Sequence, residues 1–316
     1  MSKKSPSKKS PGRLSKKEST EYPGPGPSDK IMADLGRLLD GQEFESIDEI
    51  NDFLEQRLAS GQPLPSGATQ TALEKAQDLM YDAWDAPNKV QRIKLAREAL
   101  TISEDCADAY VLLALESTRS LKQARNLYES GVKAGERSLG TKKFKEFEGH
   151  FWGVLETRPY MRAREGLAAC LWQLGQRQEA IDHYHEMLRL NPGDNQGVRY
   201  VLLGCLLEEH KQSETEKLLE AYGDGSASWS YNHALFLFRQ EGAGRKADAR
   251  LKQALAVNPH VPDYLFGYKR LPRQLPPYMG FGDEDEAAYY VTDAQHLWLQ
   301  EKGALDWLRE ISAKIL

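Results

Sequence analysis

A chain of 316 residues, 40% hydrophobic and 28% charged, has the composition of an ordinary globular protein, long enough for one elongated or two compact domains. Its net charge of -5 hides an asymmetry: Lys3, Lys4, Lys8, Lys9, Arg13, Lys16 and Lys17 put +7 into residues 1–17, which leaves -12 for the remainder. An acidic body repels nucleic acid, so any such affinity is confined to residues 3–17. Apolar stretches such as 201–207, with Gly204 inside it, are too short to cross a bilayer, and no secretory signal core follows the N-terminus.

Residues 1–29 form a basic Lys/Ser/Pro tail with almost nothing apolar, and such a segment is expected to be disordered. A short helical segment follows over 30–60. One helix is expected at 29–39. Ser46 and Glu49 then make a capping box before a second, with Ile47, Ile50, Phe53, Leu54 and Leu58 on one face. Residues 61–67, with Pro63 and Pro65, read as a linker. From 69 to 262 the pattern is helical almost throughout. Leu73, Ala76, Met80 and Trp84 form a stripe that ends before Pro87, and Asn88 can cap the next helix, from Val90 to Ile102. Residues 135–160 read as an insert rich in aromatics (Phe144, Phe147, Phe151, Trp152) and expected to pack on the helices around it. In the last section, 263–316, prolines exclude a regular helix until about Asp283. Two capping helices follow, separated by Gly303.

Two segments, 166–192 and 233–259, share one helix-turn-helix signature. Ala168, Gly175, Ala180, Tyr184 and Pro192 recur as Ala234, Gly242, Ala247, Leu251 and Pro259, with Ala254 at a further packing position. The two B-helix alanines, Ala180 and Ala247, are 67 residues apart, one short of twice the 34-residue tetratricopeptide period. Tyr110, Ala114, Ala124 and Tyr128 mark an earlier repeat, and 195–224 a degenerate one with its turn at His210. Small side chains let two antiparallel helices approach, and proline stops the second so that the next pair can begin. The expectation is an all-α solenoid of tetratricopeptide type, with no strand.

Stacked pairs of this kind line a concave face with their first helices. Extending the register places Arg162, Glu165, Trp172, Gln196, Arg199, Trp229, Asn232, His233 and Arg239 on or near it. Trp and Arg are frequent binding anchors, although Trp172 and Trp229 fit packing between repeats equally well. The expected function is therefore a non-enzymatic scaffold that binds a protein or peptide in this groove. The alternative is a nucleic-acid adaptor that uses the basic tail.

The runs from Ala96 to Leu100, Asp105 to Ala114 and Ala124 to Glu136 resemble the suppressor-of-tumorigenicity-seven family. The segments at 149–153, 158–163 and 278–287 resemble bacterial tetratricopeptide proteins related to it. The similarity covers roughly 70–310 and implies the helical-repeat fold without implying a reaction. Animal members are thought to be membrane proteins, and this chain departs from them in lacking such a segment. Tetratricopeptide co-chaperones grip terminal carboxylates with a Lys/Asn/Arg clamp. The equivalent positions here hold Glu165, Ala169 and Tyr200, so that activity is not implied.

Chemistry-bearing motifs are few. His183 and His185 point about 200° apart on one helix and cannot share a metal. The Asp283–Glu286 run reads as carboxylates favoured by a helix dipole. Cys106, Cys170 and Cys205 are odd in number and lie in apolar helical patterns, which predicts buried thiols in a reducing, cytoplasmic setting. No cofactor, metal or catalytic residue is expected.

Overall fold

The computed structural model describes residues 24–39, 42–60 and 70–315. The first 23 residues of the basic tail and the whole linker, 61–67, lie outside it. Among the described residues there is no strand. The helices are α1 (Pro27–Leu39), α2 (Ile47–Ala59), α3 (Ala72–Asp85), α4 (Lys89–Ile102), α5 (Ala107–Ser117), α6 (Leu121–Glu146), α7 (Arg158–Gln173) and α8 (Arg177–Leu190). Then come α9 (Val198–Glu208), α10 (Gln212–Ala221), α11 (Ala227–Glu241), α12 (Arg245–Val257), α13 (Val261–Leu265), α14 (Glu284–Gln300) and α15 (Ala304–Ser312).

Side-chain caps decide where many of these helices begin. Thr71 and Glu74 form a reciprocal capping box on α3. Asn88 accepts from the Gln91 amide at 2.9 Å, and Ser120, Ser226 and Asp283 act alike on α6, α11 and α14. Each such cap contributes about 1 kcal/mol. The Ser46–Glu49 pair caps α2 with one change: Glu49 accepts from the Glu45 amide.

Consecutive helices pack as five pairs: α3–α4, α5–α6, α7–α8, α9–α10 and α11–α12. Ala168, Ala180, Ala247 and Ala254 are fully buried, with Ala114, Ala124, Tyr128 and Tyr184 beside them. Tyr110 is half-buried. Gly175 turns the chain in the left-handed region, φ +80°. His210, at φ +53°, makes the equivalent turn in the degenerate repeat without glycine, which is why that repeat is faint in sequence. At Gly166 any side chain would overlap the Tyr128 ring, so this glycine sets how closely α7 lies on α6.

First helices touch first helices along the stack, α3 on α5, α5 on α7, and α9 on α11. The series continues beyond the repeats. α14 lies on α11 and α9, and α15 on α12, so the C-terminal helices act as a sixth pair.

Several elements differ from the sequence reading. The first part of the 135–160 segment is helix: α6 runs on to Glu146, broken only at Gly140, φ +61°. The remainder folds over the end of α8, where Leu190 carbonyl accepts from the Gly149 and Phe151 amides. Phe151 is fully buried against Phe144 and Tyr160, ring centroids 5.1 and 6.0 Å away. The prolines after residue 259 admit one helical turn, α13, because Pro262 sits where its missing N–H costs nothing. In α2 the expected apolar face is not buried: Ile47 is 75% exposed, and Ile50, Phe53 and Leu54 are half-buried.

Candidate functional site

The inner face of a helix-pair stack is its natural binding surface, and the nine residues expected there divide sharply. Arg162, Trp229 and Asn232 are buried and cannot contact a partner directly. Trp229 packs edge-on against Tyr200 and Tyr222, centroids 6.1 and 6.5 Å away. Asn232 accepts from the Tyr290 hydroxyl at 3.1 Å, because α14 lies over it. Arg162 is locked between Asp108 of α5 and Asp29 of α1.

Six others keep some exposure. Arg239 is held by Glu301 at 2.7 Å and by the Leu207 carbonyl. Arg199 bridges Asp194 and Asp224, each at 2.9 Å. Trp172 lies beneath the Arg177 guanidinium, 3.8 Å from the ring centroid. Gln196 donates to Glu165 across 3.1 Å. His233 sits near Arg250 of α12, in the outer layer. Burial, with Arg250 adding to it, pushes His233 down to about 4.

Three of these contacts, Arg162 with Asp29, Asn232 with Tyr290 and Arg239 with Glu301, have a cause invisible in the repeat register. The non-repeat helices at both termini fold onto the face that the repeats would leave open. α14 covers it over α9 and α11. α1 approaches it from the other end, over α3 and the 3-10 turn Leu155–Thr157.

Between α1 and the first repeats lies a cleft of about 730 Å³. Its apolar lining includes Met32 from α1, Leu73 from α3, and Leu155, Pro159 and Tyr160 from the segment leading into α7. Its rim is charged and internally paired. Arg37 meets Asp78 at 3.2 Å and Asp34 closer still, Lys143 pairs with Glu156, and Asp105 binds Arg137 at 2.7 Å. Apolar lining with a few fixed polar groups suits a bound segment, and the volume lies in the usual range for ligand clefts, about 300–1,000 Å³. A second cavity beside Arg239, about 230 Å³, is smaller than that range.

Two parts of this site escaped the sequence reading. Asp29 accepts from Arg158 at 2.7 Å and from Arg162 at 3.3 Å, although it sits at the margin of a tail expected to be disordered. Arg158 and Arg162 are four residues apart and share a helix face, the one available signal. The second is Glu286, assigned to the α14 dipole. It is buried and accepts from the Ala227 amide, Asn258 and the Gly282 amide, tying α14 to the start of α11.

The remaining candidate groups are occupied structurally. Burial pushes the Cys106 and Cys205 thiols up to about 12 and Cys170 to about 11, so none is a thiolate near neutrality. His185 contacts Glu214 at 3.1 Å and joins α8 to α10. Burial lowers His183, with Arg164 acting in the same sense. Among the described residues no three His, Cys, Asp or Glu side chains converge as a metal site.

A family model described as ST7 protein matches residues 68–314, most of the chain. The chain belongs to the ST7 family. A protein ST7 homolog from Drosophila melanogaster is 29% identical over 265 residues, covering 75% of this chain and 48% of its own length. The suppressor of tumorigenicity 7 protein-like of Bos taurus is 31% identical over 264 residues, 75% of this chain and 47% of that protein. The human protein of the same description is 30% identical over 264 residues, 75% of this chain and 45% of its own. This chain thus spans about half the length of the curated relatives it matches. Among solved structures, YrrB, described as a TPR protein with an unusual peptide-binding site, aligns at TM-score 0.41 and 19% identity, over 58% of this chain and 84% of that one. No helix among the described residues is long and apolar enough to cross a membrane.

Proposed function

We propose that this chain is a non-enzymatic interaction scaffold that holds a peptide or protein segment on the inner face of its helix-pair stack. The cleft between α1 and the first repeats is the principal contact. One observation carries this reading: a cavity of about 730 Å³ opens where first helices line the stack, with apolar walls and a charged rim. The partly exposed Glu165, Trp172, Gln196 and Arg199 extend the same face toward the centre. Arg162, Trp229 and Asn232 support that surface from beneath.

Selection of a displayed peptide library on the full chain tests this. Peptides enriched on the wild type should be lost on Leu73→Glu, which puts a charge into the cleft wall. They should be kept on Val90→Glu, whose site is 79% exposed on α4. Enrichment that survives Leu73→Glu places binding elsewhere and refutes the reading.

A further inference from the structure

Helix α1 stands apart from the repeats; it buries Leu38, and much of the rest of its anchor is electrostatic. Asp29, in its first turn, is 5% exposed and gives one oxygen to Arg158 and the other to Arg162. Arg162 then forms two bonds to Asp108, at 2.8 and 2.7 Å, and Asp108 is fully buried. The Trp152 ring completes the seat, with both guanidinium carbons within 5.9 Å of its centroid.

Counting charges shows what the seat requires. With Asp29 in place, two guanidiniums face two carboxylates. Without it, two guanidiniums face Asp108 alone, and the seat carries an unmatched positive charge. Two guanidiniums held together with one carboxylate between them favour a second carboxylate from some source. In α1, Ile31 and Met32 remain 56% and 49% exposed, so the resident helix leaves apolar side chains uncovered. A further fact separates seat from occupant. Asp108, Trp152, Arg158 and Arg162 lie inside the family match at 68–314, whereas Asp29 lies outside it.

We propose that this seat is a carboxylate-recognition site, that α1 is its resident occupant in cis, and that a partner helix with an acidic first turn exchanges with α1. This deepens the binding reading above and rests on it, by naming the chemistry of the partner. The site differs from the co-chaperone clamp, whose positions here are Glu165, Ala169 and Tyr200. It reads an acidic side chain at a helix start through an Arg pair at i and i+4. Tethering gives the resident helix an effective concentration in the millimolar range, so an incoming helix binds weakly until α1 is loosened.

The test uses a fluorescent peptide of residues 24–41 and the full chain. Asp29→Asn in the chain removes the resident carboxylate and should raise the affinity for the wild-type peptide at least tenfold. The same peptide carrying Asp29→Asn should bind neither chain. Lys30→Ala breaks only the Lys30–Asp82 bridge, 2.7 Å long and exposed, and should raise affinity slightly, which guards against a fold defect in the first variant. Hydrogen exchange should show α1 losing protection as peptide binds. Equal binding of the Asn peptide overturns the proposal, as does an Asp29→Asn chain with no gain in affinity. A concentration-dependent dimer of the wild-type chain overturns it too, because the occupant would then be the helix of a second copy. Library peptides that bind through Leu73 while α1 keeps its protection would leave the cleft reading standing and sink only the exchange.

Discussion

The two ends of the stack are closed by non-repeat helices, and the balance of apolar and charged contacts differs between them. At the C-terminal end, α14 and α15 bring Trp298, Trp307 and Tyr290 against Tyr231 and Phe238. Trp298 is fully buried and donates its indole N–H to the Tyr290 hydroxyl at 2.7 Å. Phe238 and Trp307 stack with centroids 4.6 Å apart. At the N-terminal end, α1 rests on an Arg–Asp cluster and leaves a cleft beside it. Apolar burial is continuous and hard to reverse one contact at a time. A charge seat can exchange one carboxylate for another with its net charge unchanged. The first end reads as structure and the second as the openable end of the stack.

The largest expected effect is at the aromatic end. Trp298→Ala should cost about 3–5 kcal/mol, the range for removing a fully buried tryptophan, seen as a lower urea midpoint for the whole chain. A loss below about 1 kcal/mol would mean that α14 is as dispensable as α1. At the charged end, Asp29→Asn should cost about 1.5–3 kcal/mol locally, by weakening hydrogen bonds to charged groups. That loss should show in α1 alone. If the main unfolding transition of the stack moves equally, α1 belongs to the cooperative core and the contrast fails.

Protonation sharpens the same contrast. His233 of α11 is pushed down to about 4, so between pH 6.5 and about 4 the unfolded chain binds a proton that the folded chain refuses. Its stability contribution is complete above pH 6.5 and falls as pH drops through that window. The urea midpoint of the wild type should drop between pH 7 and pH 5 by more than that of His233→Leu. Parallel drops would show that burial of His233 is not felt. The smallest effect belongs to Lys30→Ala, whose exposed bridge to Asp82 should contribute less than about 1 kcal/mol and weaken further in salt.

The repeats were legible because their chemistry is local. Ala168, Gly175 and Ala180 must be small or flexible for two neighbouring helices to meet, and that requirement repeats along the chain. Asn88 and Asp283 announced helix starts in the same way. The inner face of the stack was less legible, since exposure depends on what folds over a residue. Arg162 carries the register of a surface residue and is 3% exposed, because Asp29 arrives from 133 positions away. Asn232 and Trp229 are on the register too, and α14 and the tyrosines beside α11 cover them. In the 135–160 segment the aromatics outweigh, in sequence, the helical pattern that carries α6 to Glu146. Long-range polar partners such as Glu286 with Ala227 leave no periodic trace.

Hydrogen exchange on the full-length wild type and Asp29→Asn, resolved by segment, tests the contrast between the ends most directly. The expected result is a tenfold or greater loss of protection over Pro27–Leu39, with Ala227–Glu241 and Glu284–Gln300 unchanged. Protection of α1 that is unaffected by the substitution, or a loss that spreads into α11 and α14, would contradict a charge-held, separately openable N-terminal helix.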